Sequence, residues 1–310
     1  MSSKARPTGT AAQRQARVAA MRAAQTRKAR KARQRRAWWI SGVAVALVVV
    51  VIGVLVAVKV SSGRDTPAAV ASGPASAAVV QGVTGVPAAT LAKIGAGSAQ
   101  KLPTPISAPA LTADGKPRVL YIGAEYCPYC AAERWPMVVA LSRFGTWSQL
   151  QATSSSASDV FPRTPTLSFH GSAYASDLVS FTGVEETTNI ASGNGYTPLD
   201  TPSAADSALL ARYDAPPYLD ASSAGAIPFV DLGGKYMISG ASYSPQVLAG
   251  RTREQVAATL TDPNSPIATA IDGTANAITA AICELTNQKP TTVCNERTIT
   301  QLQSGINAQR

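Results

Sequence analysis

Apolar residues first gather between Trp38 and Val58, a run of 21 positions without a charge. At 1.5 Å per residue, a helix of that length reaches about 30 Å, the thickness of a hydrocarbon core. Beyond it the pattern thins. Residues 61–116 are Ala, Ser, Gly, Pro and Val with few aromatics. That composition predicts a linker, with a short amphipathic element over 87–94. Dense patterning begins near Arg118. Val119–Ile122 predicts a buried strand. Ala131–Phe144 predicts a helix kinked by Pro136, with Met137, Val138, Leu141 and Phe144 on its apolar face. Trp147–Thr153, Thr166–Phe169 and Leu178–Val184 read as further strands, and Ser154–Asp159 and Gly193–Pro202 as loops. Ser203 is placed to cap a helix running to Tyr213. The clearest hairpin joins Ala226–Leu232 to Lys235–Gly240 through Gly233 and Gly234. Pro228 in its first strand is a candidate cis-proline, the alternative being a trans proline opening a strand. Helices follow over Arg253–Leu260 and Ile267–Leu285, and residues 301–310 read as a tail. The order strand, helix, strands, hairpin, helix predicts an α/β domain over 117–300.

Charge changes the reading of the N-terminus. The chain carries a formal net charge of +10, yet residues 1–36 hold 12 of its 28 basic residues and no acidic one. Elsewhere 16 basic residues face 18 acidic ones, so the folded part is near neutral. The surplus belongs to a tail over 1–37, directly before the apolar run. Such a run could bind nucleic acid. Next to an apolar span it acts more often as a topology signal held by anionic lipid. Positive residues keep the N-terminus in the cytoplasm, and Trp38 and Trp39 suit the membrane interface. The span over 38–60 exceeds the roughly 7–15 residues of a cleaved signal h-region, which predicts an uncleaved signal anchor. Ala69-Val70-Ala71 resembles a cleavage site but lies well past the run, and Arg35-Arg36 is too little of a twin-arginine signal. The expectation is a single-pass protein of the cytoplasmic membrane with its main domain outside the cytoplasm.

That compartment is oxidising, and four cysteines make an even count. Cys283 and Cys294 flank a turn at Asn287 and Lys289-Pro290 and read as a structural disulfide. The chain-entropy model gives a loop of that size about 3 kcal/mol. Cys127 and Cys130 are three positions apart where a strand runs into a helix. Free N–H groups and the positive end of that helix stabilise a thiolate on Cys127, which is the chemistry of thiol–disulfide exchange. A structural disulfide or half a zinc site is the plainer reading. Neither a second Cys-x-x-Cys nor a nearby His supplies the remaining zinc ligands, so no metal is assigned. Cys127 is then the attacking thiol and Cys130 the resolving one. Pro128 removes an N–H near the sulfur and stiffens the ring. Tyr129 offers an aromatic surface. Glu125 could move protons to or from Cys130, or be a solvated loop carboxylate. Glu133 reads as surface. His170, the only histidine, reads as a hydrogen-bonded structural residue. Tyr126, Phe229 and Tyr243 could line a groove or belong to the core.

The strand, the Cys-Pro-Tyr-Cys tetrad, the kinked helix and Ile227-Pro228-Phe229-Val230 before a Gly turn resemble thioredoxin-fold proteins, and the tetrad itself is similar to that of glutaredoxins. More closely, the stretch from Val119 to Cys294 resembles the membrane-anchored thioredoxin-like family catalogued as domain of unknown function 929. The matching blocks are residues 121–130, 140–145, 227–231 and 238–243 and the C-terminal cysteine pair. The resemblance implies a thioredoxin-like fold in which Ile227 and cis-Pro228 pack against the cysteines and present backbone to a substrate strand; the residues themselves add Tyr126, Pro128 and Tyr129 as candidates for the substrate surface. It implies no cofactor and no established activity. Three departures stand out. Pro136 falls one position later than the usual kink proline. Tyr121 stands where common thioredoxins bury a carboxylate. The long gap from Cys130 to Pro228 requires an insertion between about 154 and 220. The expected function is thiol–disulfide exchange on exported proteins, with a membrane redox partner resetting the pair. The rival is a non-catalytic binding or assembly module of the envelope whose Cys127–Cys130 disulfide is permanent. Copper or haem-cofactor delivery would call for Met or His beside the pair, and neither is there.

Overall fold

The computed structural model describes residues 72–309. The basic tail over 1–37 and the apolar span over 38–60 lie outside the described residues. Among the described residues no single helix is long and apolar enough to cross a membrane.

The segment expected to be linker is folded from residue 72 onward, which corrects that expectation for 72–116. β1 (Gly73–Pro74) is the first strand, and Ser76 caps α1 (Ala77–Thr84) by accepting from the Val79 N–H. α2 (Ala88–Ile94) follows, then β2 (Thr104–Pro105) and β3 (Thr112–Ala113). Val79, Val83, Leu91 and Ile106 are buried. The physical reason lies in the small residues that looked like linker. A Cβ on Gly97 would fall 2.0 Å from the Thr269 carbonyl oxygen, so here small size permits close backbone approach.

β4 (Lys116–Gly123) is the centre of the main sheet. Phe229–Leu232 (β12) lies antiparallel on one side of it, pairing Val230 with Tyr121. Ser180–Glu185 (β9) lies parallel on the other, pairing Thr182 with Leu120. Tyr236–Ser239 (β13) and β2 extend the sheet beyond β12, and β3 folds back on the start of β4. Alternation along β4 divides the core, as the two-residue period of a strand requires. Val119 and Tyr121 join α3 (Pro128–Leu141) on one face. Leu120 and Ile122 join Phe229 and Tyr213 on the other, beneath α4 (Ala204–Tyr213). The chain is therefore a mixed α/β protein.

The gap between α3 and β12 holds more strand than its sequence suggests. The expected strand Trp147–Thr153 breaks at Gln149, which adopts φ +58, into β5 (Thr146–Ser148) and β6 (Gln151–Ser154). These pair antiparallel with β8 (Ala173–Ala175) and β7 (Pro165–Ser168) respectively. The expected loop Gly193–Pro202 instead contributes β11 (Gly195–Pro198), which pairs with β10 (Thr187–Ser192) in a second hairpin.

α3 is buried all round apart from Tyr129, so the expectation of a single apolar face is corrected. Its polar satisfaction explains why it tolerates Pro136. Proline has no N–H, so the Ala132 carbonyl loses its helical donor. The Tyr243 hydroxyl donates to that carbonyl at 2.7 Å. The Thr166 hydroxyl donates to Ala131 at 2.7 Å, and Trp135 Nε1 donates to the Pro165 carbonyl at 2.9 Å.

α5 (Arg253–Thr259) precedes α6 (Pro266–Leu285), whose N-cap Ser265 accepts from Ile267 and Ala268. The Cys283–Cys294 disulfide ties the end of α6 to α7 (Thr291–Cys294). The tail expected over 301–310 is corrected for residues 301–309. α8 (Arg297–Asn307) buries Ile299, Leu302 and Ile306 at helical spacing. Replacing Cys283 with Ser is expected to lower unfolding stability by about 2–4 kcal/mol. A urea midpoint unchanged by the substitution would contradict this.

Inside α6 the Asp272 carboxyl is buried and neither oxygen has a hydrogen-bond partner. Burial pushes it up to about 8 from an ordinary 3.8. An acid raised in the folded state disfavours folding once the unfolded chain ionises. The loss therefore begins near pH 4, grows by about 1.4 kcal/mol per unit and levels off above pH 8. Asp272→Asn should remove that component. The stability gap between variant and parent is expected to widen with pH between 4 and 8; parallel pH–stability curves would refute it.

Candidate active site

β4 ends at Gly123 and leads directly to the tetrad. A Cβ on Gly123 would lie 2.3 Å from the Tyr121 hydroxyl, so glycine makes room for that ring at the exit of the strand. Cys127 is the N-cap of α3, with φ −73 and ψ 122. Its Sγ accepts the Cys130 N–H at 3.3 Å, one of the free donors at the helix start. The thiol of Cys127 donates to the Ile227 carbonyl at 3.7 Å. The Ile227–Pro228 peptide is cis, and Pro228 is buried. Hairpin geometry delivers this carbonyl. Gly233 and Gly234, at φ +66 and +71, turn β12 into β13, and the Gly234 N–H donates to Asp231 at 2.6 Å.

Cys127 keeps 5 % of its surface exposed and Cys130 none. Both are free thiols. Their electrostatics differ. The Cys130 thiol, as donor, holds Cys127 below its ordinary value. Burial opposes that, while the Cys130 N–H and the Arg134 guanidinium add to it. Burial holds Cys130 well above its ordinary value, reinforced by its role as donor to Cys127. An anion is thus favoured on the sulfur that retains exposure.

Two segments from the long gap between α3 and β12 pack against the aromatic residues of the tetrad region. Tyr126 stacks on Tyr196 of β11 with ring centroids 4.2 Å apart. Tyr129, 41 % exposed, meets Phe161 edge-on at 5.8 Å. The Ser156 N–H donates to the Tyr126 carbonyl at 2.8 Å, which ties the 155–164 loop to the tetrad. Pro128 is buried at the first helical position, where its missing N–H leaves no gap.

Beneath the tetrad lies an ion pair that the sequence alone did not reveal. Arg134 Nε and Nη2 donate to the two Glu185 oxygens at 2.7 and 2.6 Å, with both side chains fully buried. Nη2 also donates to the Ala124 carbonyl at 2.7 Å. Arg134 is one turn along α3 from Cys130, and Glu185 ends β9. Burial raises Glu185, and the Arg134 charge opposes that rise. The Arg134 guanidinium also sits 5.8 Å from the centre of the Tyr121 ring. The cue in the sequence was the four-residue spacing of Cys130 and Arg134, but nothing pointed to Glu185, 51 positions away.

The other residues singled out in the sequence take the following places. Glu125 is buried, and its carboxylate accepts the Ser72 hydroxyl. The Glu185 charge adds to the rise of the Cys130 thiol, after burial and the Cys127 contacts. Glu133 is not on the surface but fully buried, because α3 is covered on every side. Phe229 belongs to the core on the α4 face of the sheet, and Tyr243 lies behind α3. His170 is exposed and pairs through Nδ1 with Asp200 at 2.8 Å. Among the described residues no group of three or more His, Cys, Asp or Glu is placed to hold a metal ion.

The family described as Domain of unknown function (DUF929) matches residues 103–195 and 196–284. The chain belongs to the DUF929 family. The DUF929 match takes in Cys127, Cys130, the Arg134–Glu185 pair, Pro228 and Cys283. It also covers β2 and β3, in the segment whose composition suggested linker. No curated protein and no solved structure matches the chain.

Proposed function

We propose that this chain is a membrane-anchored, extracytoplasmic thiol–disulfide oxidoreductase of thioredoxin-like fold, acting on exported proteins through Cys127 and Cys130. One observation carries the reading. The Cys127 sulfur caps a helix start, faces the carbonyl before cis-Pro228 and is the thiol of the pair that favours the anion. In the reductive direction the Cys127 thiolate attacks a substrate disulfide and expels one substrate thiolate. Cys130 then attacks the Cys127 sulfur, expels the second, and leaves a 127–130 disulfide. Two electrons from a membrane redox partner would restore the pair. The oxidative direction is the reverse, with the partner accepting the electrons.

The near-complete burial of both sulfurs favours a second reading, a binding module whose 127–130 disulfide never opens. Equilibration in glutathione buffers with alkylation of free thiols separates the two. An exchange-active pair is expected to pass from disulfide to dithiol within the range those buffers span. A pair that stays oxidised until the protein unfolds would support the binding module. Topology is tested by a reporter active only outside the cytoplasm, fused after Arg310. It should be active, and activity confined to a cytoplasmic reporter would remove both the localisation and the exported substrates.

A further inference from the structure

The helix that carries Cys127 and the loop that carries Ile227 touch at the thiol. They are joined a second time nearly two turns further along α3. Glu133 accepts the Ser242 N–H at 2.8 Å and the Ser242 hydroxyl at 3.0 Å. Ser242 follows β13, and two residues earlier the Gly240 N–H donates to the Pro228 carbonyl at 2.8 Å. Pro228 is bonded to Ile227, whose carbonyl takes the Cys127 thiol. The contacts close a ring from Cys127 through α3 to Glu133, across to Ser242, back through Gly240 and Pro228 to Ile227. Apart from the thiol contact, Glu133–Ser242 is the link in this ring that depends on an ionisable side chain. We propose that Glu133 is a positioning residue for Cys127: its carboxylate, by holding Ser242, sets how the Ile227 carbonyl lies against the thiol, so that protonating Glu133 changes the reactivity of Cys127. The inference rests on Cys127 being the attacking thiol.

A carboxylate accepts both Ser242 donors. A protonated acid has a proton on one oxygen, so one of the two donors loses a full acceptor. The change falls in the neutral range. Burial pushes Glu133 up to about 7, opposed by the two Ser242 bonds and by the Lys101 charge. Lys101 reaches the same segment, donating to the Ser239 carbonyl at 3.2 Å. From the loop, Tyr243 faces Glu133, and it also feels Asp272 of α6. Burial pushes Asp272 up as well, to about 8. On α3 itself, Cys130 lies one turn back.

The test is the pH profile of Cys127 alkylation by iodoacetamide in the reduced full-length protein, read by peptide mass spectrometry between pH 5 and 9. The thiolate displaces iodide and forms a thioether, so the rate reports thiolate fraction and access. The parent is expected to show a step near pH 7 in addition to the titration of the thiol. Glu133→Gln should lose that step, and Asp272→Asn should keep it. Ser242→Ala removes one donor to the carboxylate and should move the step to higher pH, which decides the matter if Glu133→Gln does not fold. Superimposable profiles for parent and Glu133→Gln, or an unmoved step in Ser242→Ala, overturn the positioning role and leave the attacking-thiol reading intact. Cys127 that alkylates only in urea overturns the attacking thiol and the positioning role with it.

Discussion

Cys130→Ser is expected to accumulate mixed disulfides with exported proteins, and Cys127→Ser is expected to accumulate none. The asymmetry follows from the two sulfurs. Cys127 keeps residual exposure and an environment that favours its anion, while Cys130 is sealed and held protonated. On the proposed exchange chemistry, attack on a substrate disulfide would belong to Cys127 and release to Cys130. Without the Cys130 sulfur the first bond forms and the second step is missing, so the intermediate persists. Without Cys127 the first bond never forms. Multiple-turnover exchange should fall on the order of a thousandfold or more in both variants, because each removes a member of one reacting unit. A non-reducing gel of envelope fractions reads the outcome, with the bands identified after reduction. A clean Cys130→Ser lane, together with a parent pair that resists reductant, would leave the binding module as the better account.

What the sequence discloses of the fold and of this site is what lies close together along the chain. Cys127 and Cys130 share one turn, Ile227-Pro228 stands directly before its hairpin, and Ser203 precedes the helix it caps. Each is decided by a handful of consecutive residues, so a local pattern can show it. The contacts that tune the site join distant segments. Glu133 reaches Ser242 across 109 positions and Arg134 reaches Glu185 across 51. A buried carboxylate and a solvated one look identical in sequence until their partners are known. Glu133 therefore reads as surface in the sequence, while α3 is buried on every side apart from Tyr129. The Ala- and Gly-rich segment before Lys116 failed in the opposite way. Small side chains suit flexible chain and tight packing equally, and Gly97 against Thr269 shows the second use. The strand break at Gln149 and the β10–β11 hairpin were hidden because polar residues dominate both.

Breaking the Arg134–Glu185 pair from one side is expected to be the most damaging single change in the fold. Both side chains are fully buried, and Glu185 supplies two of the acceptors that satisfy the guanidinium. Glu185→Ala would leave a charge without its partner in the core, which costs about 3–5 kcal/mol. Removing both charges is a different experiment. Arg134→Met with Glu185→Leu leaves no unpaired ion, and such replacements are often neutral or stabilising when the volume is kept. If the double variant is as stable as the parent, the pair's place rests on something besides stability, and its charges bear on the thiols. The Arg134 charge lowers Cys127, and at Cys130 it is opposed by Glu185. Neutralising both groups removes a stabiliser of the Cys127 anion, so its titration should move to higher pH in the double variant. Glu185→Ala, where it still folds, leaves the Arg134 charge uncompensated and should move it lower. Urea unfolding measures the first effect and the pH dependence of Cys127 alkylation the second. Recovery of stability in the double variant with an unmoved Cys127 titration would show the pair to be a structural fixture with no part in setting the thiol.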